Sequence, residues 1–158
     1  MQNGNARERE RYGTRRRCRM KVPSLDLTTS ARMAGIRQKG TKIETQVATV
    51  LRELGLHYRK NVKRLPGSPD FANGSRHWAV FVNGCFWHHH TGCHRATVPK
   101  SNTKFWTSKF RANRQRDAYA IVELRREGFK VVVVWECQIE CIREKLGQIL
   151  EAGRVNPR

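Results

Sequence analysis

Two stretches of the chain hold side chains that can do chemistry. The first reads Gly84-Cys85-Phe86-Trp87-His88-His89-His90-Thr91-Gly92-Cys93-His94, with four histidines and two cysteines in eleven residues. Imidazole and thiolate are the donors that zinc takes, usually four at a time in a tetrahedron. His90 and Cys93 stand three apart, a workable chelate, but one loop rarely supplies all four ligands. Cys137, just beyond a valine-rich run, is placed to meet this loop, and Asp117 is available to add an oxygen. The competing explanation is a loop of unrelated histidines beside packed cysteines. A C2H2 finger does not fit, since there is no Cys-x-x-Cys pair.

The second stretch is Pro69-Asp70, read together with Glu44. A carboxylate opening a strand and facing another from a helix is a way to hold Mg²⁺ for phosphodiester hydrolysis. Mg²⁺ takes hard oxygens and keeps several waters, so one or two protein carboxylates suffice. Alone, Pro-Asp is a common turn dipeptide. Aromatic residues form a third group: Phe86 and Trp87 beside the histidines, and Trp106 farther on. Among basic residues such rings suit stacking on bases or wedging between base steps, with core packing as the ordinary alternative.

These residues need elements to position them. Thr41-Lys42-Ile43-Glu44 fits a capping box, Ile43, Val47, Val50, Leu51 and Leu54 follow at helical spacing, and Gly55 stops the helix. A strand is predicted near His57–Val62, then a turn-rich Leu65–Pro69, then a strand from Asp70. Asn73-Gly74-Ser75 signals a hairpin, and Trp78–Val82 reads as the returning strand, apolar enough to be covered on both faces. Gly84–Ser101 is irregular. A long helix is predicted over Lys104–Glu127 with Gly128 at its end, a buried strand over Lys130–Trp135, and a last helix over Ile139–Glu151 whose apolar members include Cys141 and Leu150. That order predicts an α/β fold, a central mixed sheet flanked by helices.

Composition narrows the partner. The 158 residues carry 32 Lys plus Arg against 13 Asp plus Glu, a formal charge of +19. So basic a domain attracts polyanions, meaning nucleic acid or an anionic membrane surface. No apolar run approaches the roughly 18–20 residues that span a bilayer, and the N-terminus has no apolar signal region. Five cysteines without framework spacing point to a reducing cytosol. The first 40 residues hold eleven basic and three acidic side chains, net +8, and resemble a tail that is either inert or ordered on nucleic acid. Ser30–Ile36 has the character of a short helix leading into the domain.

Taken together, the residues resemble the very short patch repair (Vsr) endonucleases. The resemblance rests on Thr41-x-Ile43-Glu44, Leu65-Pro66-Gly67-x-Pro69-Asp70-Phe71, Gly84-Cys85-Phe86-Trp87-His88, Phe105-Trp106, Arg116-Asp117 and Val134-Trp135-Glu136-Cys137, with Ser30-x-x-Met33 ahead of them. It implies a type II restriction endonuclease-like fold with a structural zinc site. The endonuclease domain would span 29–152, between a basic tail over 1–28 and a C-terminal tail over 153–158. It implies a monomeric, bacterial, cytoplasmic enzyme that uses Mg²⁺ to nick double-stranded DNA 5′ of the T in a T:G mismatch left by 5-methylcytosine deamination. Carried over residue by residue, Asp70 is the central Mg²⁺ ligand, the Val82 backbone carbonyl a second, and Glu44 binds a water of the metal. His88 is the general base or positions the attacking water. The zinc ligands map to His90, Cys93, Asp117 and Cys137. Phe86, Trp87 and Trp106 map to an aromatic wedge, and Lys109, Asn113 and Met33 to DNA contacts.

The chain departs from the family pattern in places. Val82 stands where Thr is typical and Asn83 where a His is sometimes seen. The His90–Cys93 spacing is one residue longer, which leaves His89 or His94 as alternative zinc ligands. Two other readings stand beside this one: a Vsr-like nickase with another mismatch or modified-base target, and a zinc-stabilised nucleic-acid-binding protein without catalysis.

Overall fold

The structure, a computed structural model, describes residues 40–152. The basic tail, the helix expected over Ser30–Ile36, Met33 and the C-terminal tail lie outside the described residues.

Helix α1 (Lys42–Glu53) begins as its sequence predicts. The Thr41 hydroxyl accepts from the Glu44 backbone N–H at 3.3 Å, while Glu44 accepts from the Thr41 and Gly40 N–H groups at 3.4 and 3.0 Å. These bonds satisfy amides that have no partner inside the helix. The helix ends at Gly55, which adopts φ +67°, and the Leu56 N–H then reaches back to the Leu51 carbonyl at 2.8 Å. One stripe of α1 is buried: Ile43, Val47, Ala48 and Leu51.

Four strands follow the order β1 (Arg59–Lys60), β2 (Phe71–Asn73), β3 (Trp78–Asn83) and β4 (Lys130–Trp135), which is also their order in the sheet. β1, β2 and β3 pair antiparallel. β3 and β4 pair parallel in the register Trp78↔Lys130 to Asn83↔Trp135, joined by the long helix α2 (Thr103–Arg126). β1 is shorter than the expected His57–Val62 because Asn61 turns to φ +49°, a left-handed conformation that bends the chain. The Asn61 and Val62 N–H groups nevertheless bond to the Asp70 and Pro69 carbonyls at 2.9 and 3.1 Å, so the path stays tied to β2.

Alternation along the strands builds two cores. Phe71, Trp78, Val80, Val132 and Val134 face α1 and the last helix α3 (Ile142–Ala152), meeting Val47, Leu51, Ile142 and Leu146. Ala72, Ala79, Phe81 and Val131 face the other way and pack with Leu124 of α2 and with Phe129. The loop before β2 is drawn tightly onto α2 at Gly67, where a Cβ would lie 2.5 Å from that of Ala120 and 3.2 Å from the Phe81 ring. Only glycine fits this approach, and it anchors the segment that carries Asp70.

The C-terminal helix differs from its expected start at Ile139. The chain first makes a 3₁₀ segment, Glu136–Cys141, interrupted by Gln138 at φ −109°. This irregular path turns Cys137 toward the 84–94 loop and leaves Cys141 exposed instead of on the apolar face. Leu150 is 38% exposed. Among the described residues no helix is long and apolar enough to cross a membrane.

Candidate active site and metal cluster

Asp70 immediately precedes β2, and its Oδ2 accepts from the Val82 backbone N–H on β3 at 2.7 Å. Val82 thus meets the carboxylate through its amide. Burial pushes the Asp70 carboxyl up from 3.8 to about 6; the Glu44 carboxylate adds to the rise, while the Val82 N–H and the neighbouring His88 oppose it. Asp70 therefore feels the charge of two other sequence-predicted site residues, Glu44 and His88. Glu44 does double duty, since the same carboxylate closes the capping box of α1. Two acids held together in a partly buried place form an oxygen-donor set that a hard divalent cation stabilises.

His88 leaves β3 through the turn at Gly84, whose carbonyl accepts the His88 N–H at 3.1 Å. Its Nδ1 lies 2.5 Å from Asp117 Oδ2 on α2. With the proton on Nδ1 donated to that carboxylate, Nε2 is left as the acceptor nitrogen. The resemblance maps Asp117 to the zinc set; in the structure it pairs with His88 and lies outside the thiol cluster.

That cluster comprises Cys85, His90, Cys93 and Cys137, with one ligand atom from each lying within 4.8 Å of all the others. His90 Nδ1 sits 3.3 Å from Cys137 Sγ and 3.8 Å from Cys85 Sγ. Cys85 is fully buried, and burial together with the Cys137 and Cys93 thiols pushes its thiol up to about 12. The Arg95 backbone N–H holds the Cys93 thiol below its ordinary value. A cation at the centre would replace the thiol protons and relieve this crowding, so the donor set fits a metal. No disulfide links these residues.

The alternatives His89 and His94 stay out of the cluster. His89 stacks on Phe110 with centroids 4.7 Å apart, and His94 is exposed. Sequence reading passed over Cys85 as a ligand, although it lies in the marked Cys/His block. It also passed over Trp135, which stacks on His90 at 4.1 Å and meets His88 edge-on at 6.4 Å. The alternation of β4 placed this ring on the loop side, a signal that was there to be read.

The aromatic group assembles on α2. Phe86 touches Trp87, Trp106 and Phe110, with centroids 5.2–5.4 Å apart. Trp106 is only 5% exposed, so it is packed rather than presented. Lys109 Nζ lies 5.5, 5.7 and 5.6 Å from the Trp87, Phe105 and Trp106 rings, inside cation–π range. Asn113, mapped to a DNA contact, is buried, and its side-chain amide donates to the Trp87 carbonyl at 2.7 Å.

A family model described as DNA mismatch endonuclease Vsr matches residues 26–95. The DNA mismatch endonuclease Vsr of Escherichia coli K12 is 40% identical over 119 residues, 75% of either chain. The chain belongs to the Vsr family. Two nicking enzymes are also similar to the chain. The type II nicking enzyme V.NmeAIP of Neisseria meningitidis serogroup A is 43% identical over 129 residues, covering 78% of this chain and 91% of the relative. The nicking enzyme V.XorIIP of Xanthomonas oryzae pv. oryzae is 39% identical over 122 residues, 75% and 89% of the two chains. The Vsr family implies a restriction-endonuclease-like fold, and the mixed sheet with its flanking helices is consistent with that. The family match takes in Glu44, Asp70, His88 and three of the four cluster residues, whereas Asp117 and Cys137 arrive from α2 and the segment after β4.

Proposed function

We propose that this Vsr-family DNA endonuclease nicks one strand of duplex DNA 5′ of the T in a T:G mismatch, the lesion left when 5-methylcytosine deaminates. The observation that supports the nuclease part of the reading is the partly buried Asp70 carboxylate, held by the Val82 N–H beside Glu44 and near the His88–Asp117 pair. A carboxylate poised this way is costly unless a cation or proton joins it.

Asp70 and the Val82 carbonyl would hold Mg²⁺, with Glu44 acting through a water. Mg²⁺ would supply charge neutralisation at the phosphate and acidify a nearby water. The protein's own part is proton handling and positioning. His88 Nε2 accepts the proton of the attacking water, and Asp117 keeps Nδ1–H in place and stabilises the imidazolium that forms. Phe86, Trp87 and Trp106 would open the stack at the mispair, and Lys109 would exchange its ring faces for DNA. Cys85, His90, Cys93 and Cys137 would hold Zn²⁺, since three thiolates and an imidazole are donors zinc prefers. That ion would lock the His88 loop to the segment after β4, so that His88 is preorganised. The enzyme would act as a monomer.

The test is cleavage of end-labelled duplexes covering every mismatch in varied flanks, with Mg²⁺ or with EDTA. A single nick 5′ of T in T:G duplexes, abolished by EDTA, is expected. Preference for another mispair would replace the substrate while keeping the nuclease; binding without any nick would leave only a DNA-binding protein.

A further inference from the structure

The open edge of the sheet carries positive charge that neither site uses. The chain from Arg59 to Arg64 has four cations and no acid. Arg59, Lys60, Lys63 and Arg64 are exposed, and none forms an ion pair with a carboxylate among the described residues. Two of them share a groove. Arg59 and Arg64 line a cavity of about 310 Å³ with His57, Tyr58, Asn73 and Ser75. Its floor is tied down: Asn73 donates to the His57 carbonyl at 2.7 Å, while its side-chain oxygen accepts from the Ser75 hydroxyl at 2.8 Å and from the Arg76 N–H at 3.0 Å. Two guanidinium groups beside an imidazole over a fixed floor suit a tetrahedral anion such as a phosphodiester. Lys60 does not join them; it lies over the Phe71 ring at 5.8 Å.

The groove is coupled to the candidate active site by the backbone. Asn61 N–H bonds to the carbonyl of Asp70 itself, and Val62 N–H to that of Pro69. Arg59 lies two residues from Asn61, about 7 Å of extended chain. An anion in the groove would therefore stand at a fixed distance from whatever phosphate faces Asp70.

We propose that the groove is a non-catalytic subsite in which Arg59 and Arg64 hold backbone phosphates of the duplex flanking the scissile bond. The proposal rests on the nuclease reading for its ligand, but its test does not require cutting. Full-length wild type, the R59A/R64A pair and the R59K/R64K pair are titrated onto a fluorescein-labelled duplex in EDTA, from about 50 to about 200 mM salt. Loss of two phosphate contacts lowers the slope of log K against log salt by about 1.8, and the lysine pair returns it toward wild type. At saturating mismatched duplex with Mg²⁺, the alanine pair nicks within about threefold of wild type, because the groove contributes to binding and not to chemistry. An unchanged slope, or a slope lost equally in the lysine pair, overturns the subsite. If wild type never nicks but the slope falls as stated, the groove stands and the nuclease reading falls; nicking with an unchanged slope is the reverse.

Discussion

The 84–94 loop serves two sites that solve opposite problems with like charges. On one side Cys85, His90 and Cys93 close with Cys137 into a set of four protein donors. On the other, His88 joins Asp117 and stands near Asp70, which also has Glu44 beside it, a set with few donors for any one ion. A full tetrahedron would leave no position for a substrate, so an ion in the thiol cluster would only organise. A site with one central carboxylate leaves room for water and phosphate, so the acid site can react. Trp135 stands between them, against His90 and His88 together. On the proposed reading, the closed site would pin the loop so that the adjacent open site keeps its geometry.

Asp70→Asn should separate the sites most strongly. It keeps the shape and removes the charge, so nicking should fall by at least about 10³-fold, corresponding to several kcal/mol of lost charge stabilisation. The same change should stabilise the metal-free protein. The folded carboxyl titrates near 6 against 3.8 for the ordinary group, so the fold binds the extra proton. Stability from this group is therefore highest below 3.8, declines as pH rises through 3.8–6, and its penalty of roughly 3 kcal/mol is fully present above 6. Thermal melts in EDTA should show wild type losing stability between about pH 4 and 7, a loss that Asp70→Asn lacks. A variant that melts like wild type at neutral pH would break the claim that the open site is strained.

His88→Ala should cost nicking about 10²–10⁴-fold, the range for a positioned base. Asp117→Asn should cost less, about 10–10²-fold, because the imidazole remains but loses its orienting anion. Measured metal content decides which site Asp117 serves. With Asp117 outside the thiol cluster, its variant should keep the full complement of thiol-bound ion; loss of that ion would move Asp117 back among the ligands.

Cys85→Ser tests the closed side. It should lower bound-ion stoichiometry and drop the melting temperature by on the order of 10 °C, since binding energy at a closed site is folding energy. Nicking should fall in proportion to unfolded protein, not at the chemical step. A fully folded, ion-free Cys85→Ser enzyme would show that the cluster does not hold the loop.

Which features could be read in advance follows from their range along the chain. The capping box at Thr41–Glu44, the stop at Gly55 and the run Lys130–Trp135 are local, and they fold as their residues dictate. Asp70 was marked by the scarcity of acids around it. The ligand set was harder, because Cys85 and Asp117 both lie near His88 in space and only the fold decides which meets the thiols. Core packing is the ordinary fate of a ring like Trp106, and the buried residues of α2 run from Trp106 through Phe110 and Ala120 to Leu124 despite the many basic side chains around them. The shortened β1 depends on one left-handed residue, Asn61, in a segment whose composition reads as strand.

Asn113 offers the smallest effect and the finest distinction. The family pattern maps it to DNA, whereas here it is buried with its amide on the Trp87 carbonyl. The peptide it anchors joins Trp87 to His88, so one hydrogen bond fixes the wedge and the base together. Asn113→Ala would leave that carbonyl without its partner, a loss of about 1–2 kcal/mol that appears as a lower melting temperature in the absence of DNA. A residue that only touched DNA would leave the free protein's melt unchanged and weaken binding alone. The two roles therefore separate in one melting experiment on free enzyme, and a drop of a few degrees assigns Asn113 to the frame that aligns the open site.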